Sequence, residues 1–264
     1  MAKRSKLLML PGALAVVFLF AGCASVPYTG RSQMIFYSES SDIELGAEAW
    51  KETLAKEKKS TDSTSIQALN RVGAHLAAAA NRPDYQWEFV VLESTEPNAF
   101  ALPGGKVAVY SALFTLVDND AELATVVGHE VSHALARHGV ERMSQNIFRN
   151  CGGILVEQLF GSQWNEVYNG GTDLIAMLPY SRTQEYEADH LGLILMARAG
   201  YDPAAALTFW EKFRKLSQTG TVLEFLSTHP DGDKRLEELK KQLPEAQKYY
   251  DEAPEKYGNG NRYR

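Results

Sequence analysis

Residues 120–138 read Asp120-Ala-Glu-Leu-Ala-Thr-Val-Val-Gly-His129-Glu130-Val131-Ser132-His133-Ala-Leu-Ala-Arg-His138, and this stretch decides the fold. Val126, Val127, Val131, Ala134 and Leu135 make it apolar over much of its surface, so the spacing predicts one long, deeply buried helix. On that helix His129 and His133 lie one turn apart on one face. Two imidazoles so placed can reach a single metal ion at about 2.0–2.1 Å. Glu130 is turned by about 100° from His129, beside such an ion and not toward it. That is where a general base must stand to take a proton from an activated water. The bland alternative is a solvated face that carries two histidines and a glutamate. It leaves polar groups on an apolar helix without partners.

A catalytic zinc ion takes three protein ligands and keeps a fourth position open. Ser181-x-x-Gln184 is a capping-box pattern, opening a helix that runs to Gly200. This helix offers Glu185, Glu187, Asp189 and His190. Glu185 and Asp189 share one face, Glu187 and His190 another. The first pair would supply a ligand together with a carboxylate for the far N–H of a metal-bound imidazole. A solvent-exposed helix start rich in acids, which the helix dipole favours, fits the spacing about as well.

Outward from these helices the pattern is α+β and mostly helical. Lys3, Arg4 and Lys6 precede an apolar run from Leu7 to Phe20, too short for a membrane span, so residues 1–22 read as a secretory signal. Ala21-Gly22 before Cys23 resembles a bacterial lipobox, with Phe20 where the pattern prefers Leu. The resemblance implies cleavage before Cys23 and its lipidation, and Ala24 in place of Asp favours the outer over the inner membrane. Residues 23–40 read as an extended leader and 41–243 as the folded domain. Within it, helices are expected from Ser41, capped by Asp42, across Ile66–Ala80, along Asp120–His138, across Val140–Phe160, from Ser181 to Gly200, after Asp202-Pro203, and over Asp233–Leu243. Short strands are expected at Trp87–Leu92, Asn98–Leu102 and Lys106–Tyr110. Residues 244–264, with Gly258-Asn259-Gly260-Asn261 near the end, read as a frayed tail. Hydrophobic residues at 45% and charged residues at 23% suit a globular domain. The net charge of −6 becomes more negative once Lys3, Arg4 and Lys6 are removed, which argues against nucleic acid as a partner. With Cys23 acylated, Cys151 has no intrachain partner for a disulfide.

The His129-Glu130-x-x-His133 pattern, followed by Ser181-Arg182-Thr183-Gln184-Glu185-Tyr186-Glu187-Ala188-Asp189, resembles the CAAX-prenyl-protease/HtpX family of gluzincin zinc metallopeptidases. Asn98-Ala99-Phe100-Ala101-Leu102-Pro103-Gly104-Gly105 and Thr29-Gly30-Arg31-Ser32-Gln33 resemble signatures of its periplasmic lipoprotein branch, exemplified by BepA and LoiP. Thr228-His229-Pro230 resembles a further one. The resemblance runs from Thr29 to Pro230. It implies a zincin-like fold with one zinc ion on His129, His133 and Glu185, Glu130 as base, and Asp189 behind a ligand.

The function expected is endopeptidase action on unfolded or misassembled envelope proteins, on the periplasmic side of a bacterial envelope and lipid-anchored. The rival is a chaperone or assembly factor for outer-membrane proteins, in contact with their assembly machinery and seldom using its peptidase. A structural lipoprotein with surface zinc leaves Glu130 without a reason. Asn98, Ala99, Phe100, Ala101 and Leu102, if they form a sheet edge, can pair with an extended substrate. His229, beside Pro230, is expected on a loop. It either fills the fourth zinc position as a latch, which the resemblance favours, or stabilises an oxyanion, or has no role. His75, His138 and His190 read as structural, with His138 off the ligand face and His190 paired with Glu187.

Overall fold

A computed structural model describes residues 23–27, 29–147, 180–217, 222–229 and 234–263. The signal segment expected at 1–22, most of the helix expected across 140–160 with Cys151, and Pro230 lie outside the described residues.

Helix α1 (Glu39–Lys56) starts earlier than expected. The Ser38 hydroxyl accepts from the Ser41 N–H and caps it, while Asp42, expected as the cap, turns inward and accepts from Arg137 Nε at 2.6 Å. Helix α2 (Ser63–Ala80) is capped by Asp62, which accepts from the N–H groups of Thr64 and Ser65. Three strands follow: β3 (Glu88–Leu92), β4 (Ala99–Leu102) and β5 (Lys106–Tyr110). β5 is central, parallel to β3 and antiparallel to β4 with Phe100 opposite Ala108. The outer edge of β3 is covered by residues 58–60, through Ser60 N–H to Val91 O at 2.8 Å and Glu93 N–H to Lys58 O at 2.7 Å. β4 is the other edge. Tyr110 N–H donates to Asn98 O at 2.9 Å, and the alternation of an antiparallel ladder then turns the main-chain groups of Ala101 off the sheet.

Helix α3 (Asp120–Leu135) is capped by Asn119, and residues 120–134 are all buried. It packs along α4 (Arg182–Arg198), which opens with the expected capping box at Ser181 and Gln184. Gly128 and Gly192 meet at this crossing, where a Cβ on Gly192 would stand 3.1 Å from His129 N. Helices α5 (Ala204–Ser217), α6 (Leu223–Thr228) and α7 (Arg235–Glu252) complete the body. One apolar core joins Leu69, Val72 and Leu76 of α2, Val107 and Val109 of β5, Leu123, Val126 and Val127 of α3, Met196 of α4, and Phe209, Trp210 and Phe213 of α5. The mostly helical α+β class holds. Among the described residues no helix is long and apolar enough to cross a membrane.

Three expectations need correction. The leader is not simply extended: β1 (Cys23–Ser25) pairs antiparallel with β2 (Ser32–Met34), Cys23 opposite Met34, and Gly30 at φ +67° makes the connecting turn possible. The long helix stops at Leu135, not His138; Arg137 adopts φ +58° and a second helical run covers 138–147. The tail is not frayed. α7 continues through Pro244, where exposed Lys240 lets water serve the carbonyl that proline leaves without a donor. Beyond it, the N–H groups of Asp120 and Ala121 donate to the carbonyls of Asn261 and Asn259, at 3.0 and 3.1 Å. Asp120 also accepts from Asn261 N–H at 2.9 Å, Tyr263 hydroxyl at 2.7 Å and Arg71 Nη2 at 2.7 Å. The tail thus caps the N-terminus of α3.

Glycine is required at this clasp: Gly260 has φ +65°, and a Cβ there would lie 2.5 Å from the Asp120 Cβ. Gly260→Ala is expected to destabilise the protein by about 1–3 kcal/mol, read as a lower denaturant midpoint. An unchanged midpoint would return the tail to a frayed segment.

Candidate metal centre

One turn of α3 puts His129 and His133 on the same side, with their Nε2 atoms 3.1 Å apart. Glu185, in the first turn of α4, reaches both: Oε2 lies 3.5 Å from His129 Nε2 and Oε1 lies 3.4 Å from His133 Nε2. His229, just past α6, brings Nδ1 to 3.2 Å from Glu185 Oε1 and 3.4 Å from His129 Nε2. One candidate ligand atom from each of these four buried residues lies within 4.8 Å of the others, and no other such group occurs among the described residues. The donors fit a metal ion. Imidazole nitrogens and a carboxylate converge away from water, and Glu185 Oε2 has no hydrogen-bond partner among the described residues. Imidazole and carboxylate in this number suit zinc.

The electrostatics follow from burial and from who compensates it. Burial pushes the Glu185 carboxyl up, but His229, His129 and His133 outweigh this and hold it well below the usual range. Burial lowers His133 well below its ordinary value. Burial also lowers His129, but the hydrogen bond to Asp189 and the Glu185 carboxylate close by prevail and lift it to about 9. Glu130 is raised, chiefly by burial, and neither of its oxygens has a hydrogen-bond partner among the described residues. His229 Nε2 is 3.4 Å from Glu130 Oε1. Glu130 is therefore a carboxylate beside the cluster with enhanced basicity.

The sequence-expected residues come together. Asp189 Oδ1 lies 3.0 Å from His129 Nδ1, so one carboxylate backs one histidine as its spacing to Glu185 suggested. Ala99, Phe100, Ala101 and Leu102 form β4, with Asn98 just before it. With Pro103 they line one wall of a cavity of about 430 Å³; Glu130, His133, Tyr180, Thr228 and His229 are among the residues that line the rest. Cys23 lies far along the chain from this site, in β1.

Two residues, Arg235 and Tyr180, escaped the sequence reading, and His138, Glu187 and His190 have partners it did not expect. Arg235, opening α7, donates to Asp189 Oδ1 at 2.7 Å, and its guanidinium lies 3.4 Å over the Trp210 ring. The signal was indirect: carboxylates buried on α4 need a cation. Tyr180 stacks on His133 with ring centroids 3.6 Å apart, and burial raises its hydroxyl to about 12. His138 is not among the candidate ligands, as expected. The break at Arg137 carries it back so that its Nδ1 lies 2.9 Å from His133 Nδ1. Glu187 and His190 do not pair: His190 meets Glu245 at 2.9 Å, whereas Glu187 is buried against Thr29, Arg31 and His138. Burial raises the Glu187 carboxyl, but these three partners outweigh it and hold it at about 2.

A helix-borne pair of histidines converging with a glutamate from a second helix, beside a basic buried glutamate and an open strand edge, defines a metal-dependent endopeptidase. The chain belongs to peptidase family M48, whose family model matches residues 64–243. It is 34% identical over 239 residues to the mitochondrial metalloendopeptidase OMA1 of Schizosaccharomyces pombe, covering 88% of this chain and 69% of that protein. It is 40% identical over 183 residues to the Arabidopsis thaliana OMA1, with 69% and 37% covered. To the β-barrel assembly-enhancing protease of Escherichia coli K12 it is 30% identical over 224 residues, with 80% and 46% covered. The chain thus spans under half the length of the last two. The enzyme class expected from the sequence holds. The BepA/LoiP branch is not set apart, since mitochondrial relatives match at higher identity.

Asp189→Asn is expected to weaken zinc affinity by about 10–100-fold, measured by competition with a chelator. Unchanged affinity would mean that packing alone orients His129.

Proposed function

We propose that this chain is a zinc-dependent endopeptidase of the bacterial cell envelope that degrades unfolded or misassembled envelope proteins. The observation that carries the reading is the cavity itself, with the free edge of β4 on one wall and Glu130 and His133 on the other. An extended polypeptide can add to β4 through main-chain hydrogen bonds, a mode that tolerates many side chains but requires an unfolded segment. His129, His133 and Glu185 would hold the ion. When bound, zinc supplies Lewis acidity to a carbonyl and to water. Glu130 takes the proton from water and hands it to the leaving amine, a role its raised basicity suits. Asp189, steadied by Arg235, fixes the orientation of His129.

The envelope location rests on the sequence: a cationic start, a short apolar run, and Ala21-Gly22 before Cys23. Lipidation at Cys23 would anchor the domain on the periplasmic side, at the outer membrane by the identity of Ala24. The rival reading draws on the relative named β-barrel assembly-enhancing protease. It makes the chain an assembly factor in contact with outer-membrane assembly machinery. For His229, Nδ1 among the candidate ligand atoms supports the latch over the oxyanion role.

Glu130→Gln is expected to abolish degradation of an unfolded protein such as casein while zinc stoichiometry stays at one per chain. Retained hydrolysis, or lost zinc, would reassign Glu130. An envelope phenotype that survives this substitution would favour the assembly factor. His229→Ala is expected to raise casein degradation. A fall on the order of 10²-fold would make His229 an oxyanion donor instead.

A further inference from the structure

The Thr29-Gly30-Arg31 turn has no part in the mechanism above, yet it closes against the back of the metal centre. Two main-chain hydrogen bonds, Gly30 N–H to Val26 O at 3.0 Å and Val26 N–H to Arg31 O at 2.9 Å, shape the turn. From it, the Thr29 hydroxyl donates to Glu187 Oε1 and Arg31 Nε to Glu187 Oε2, each at 2.6 Å. The rest of the Arg31 guanidinium forks onto Glu141, with Nη1 to Oε1 at 2.7 Å and Nη2 to Oε2 at 2.8 Å. Gln184 Nε2 donates to the same Glu141 at 2.7 Å and ties the fork to α4. Glu187 Oε2 stands 3.3 Å from His138 Nε2, and His138 Nδ1 stands 2.9 Å from His133 Nδ1.

The proton positions along this chain follow from one end. His133 turns Nε2 toward His129 and Glu185, so Nε2 is its ligand atom and Nδ1 carries the proton. That N–H donates to His138 Nδ1, which must then be the bare nitrogen. The His138 proton is left on Nε2, facing Glu187. Glu187 accepts from the Thr29 hydroxyl and the Arg31 guanidinium, and faces His138 Nε2 at an ion-pair distance of 3.3 Å. His129 is backed more directly, by Asp189 and Arg235. Behind each histidine stands a carboxylate gripped by an arginine. For His129 that arginine opens α7; for His133 it comes from the leader, with His138 interposed.

We propose that Arg31, Glu187 and His138 are positioning residues for His133, so that the leader turn is a working part of the metal site and not a spacer. The inference rests on the reading of His133 as a ligand. Groups that orient a metal-bound imidazole from behind commonly govern metal affinity, which turns a loop remote from the scissile bond into a determinant of zinc retention.

The test is zinc affinity of the full chain, by competition with a chelator, for Glu187→Gln, His138→Phe and the double variant. The thermal midpoint of each metal-free protein serves as control. Each single variant is expected to lose about 10–100-fold in affinity. The double variant should lose no more than the worse single, since both cut the same chain. Losses that add in the double variant, or a lowered metal-free midpoint with wild-type affinity, overturn the proposal. If Glu187→Gln fails to fold, Thr29→Val removes one hydroxyl from an exposed turn. It should give a smaller loss in the same direction, and wild-type affinity there overturns the proposal too. Glu185→Ala and His133→Ala, run alongside, separate the two readings. Zinc lost in these but unchanged in Glu187→Gln sinks only the positioning chain, whereas zinc retained in these sinks the ligand assignment itself.

Discussion

Charge held out of water around α3 is the condition the rest of the structure answers to. Glu130, Glu185, Asp189, His129, His133 and His229 are each at most 5% exposed. An ion moved from water to a protein interior costs several kcal/mol unless something opposite stands beside it. The surrounding elements supply those partners: Glu185 and Asp189 from α4, His229 after α6, and Arg235 from α7. Glu130 has the fewest: neither oxygen finds a hydrogen-bond partner among the described residues, and His229 Nε2 stands 3.4 Å from Oε1. The burial that raises its basicity suits this carboxylate to proton transfer.

Such a cluster needs a rigid frame, and the frame is made of small residues and apolar packing. Gly128 and Gly192 let α3 and α4 approach until their backbones touch, which brings the first turn of α4 within reach of the α3 histidines. The aromatic group of Phe209, Trp210, Phe213 and Phe225 fills the far side and seats His229 by stacking Phe225 against its ring, 4.6 Å between centroids. On the near side the sheet has one edge covered by residues 58–60, so the free edge is the one that faces the cavity.

What the sequence made legible was whatever depends on the regularity of one helix. The i, i+4 spacing of His129 and His133, the capping box at Ser181 and the shared face of Glu185 and Asp189 are all local geometry, and each appears in the structure as read. What stayed hidden depends on breaks and on distance. His138 stands off the ligand face, but the left-handed Arg137 brings it behind His133, a contact that a count along one unbroken helix does not give. Arg235 and Arg31 reach the centre across 106 and 156 positions of chain, to His129 and Glu187, and no periodic pattern announces such contacts. The glycine-rich ending looked loose because glycine permits disorder. Here it serves the opposite purpose, a close approach that any side chain would block.

The leader turn and the tail have one more consequence, in the order of events as the molecule takes shape. Thr29 meets Glu187 at 158 positions' remove, and Tyr263 meets Asp120 at 143. Contacts of such separation close the largest loops, and their entropy makes them slow relative to helix formation. The α3 helix can form early, but its clamps arrive only when both flanks of the chain have come together. A chain whose flanks have not yet met therefore holds its histidines and glutamates without the contacts that orient them.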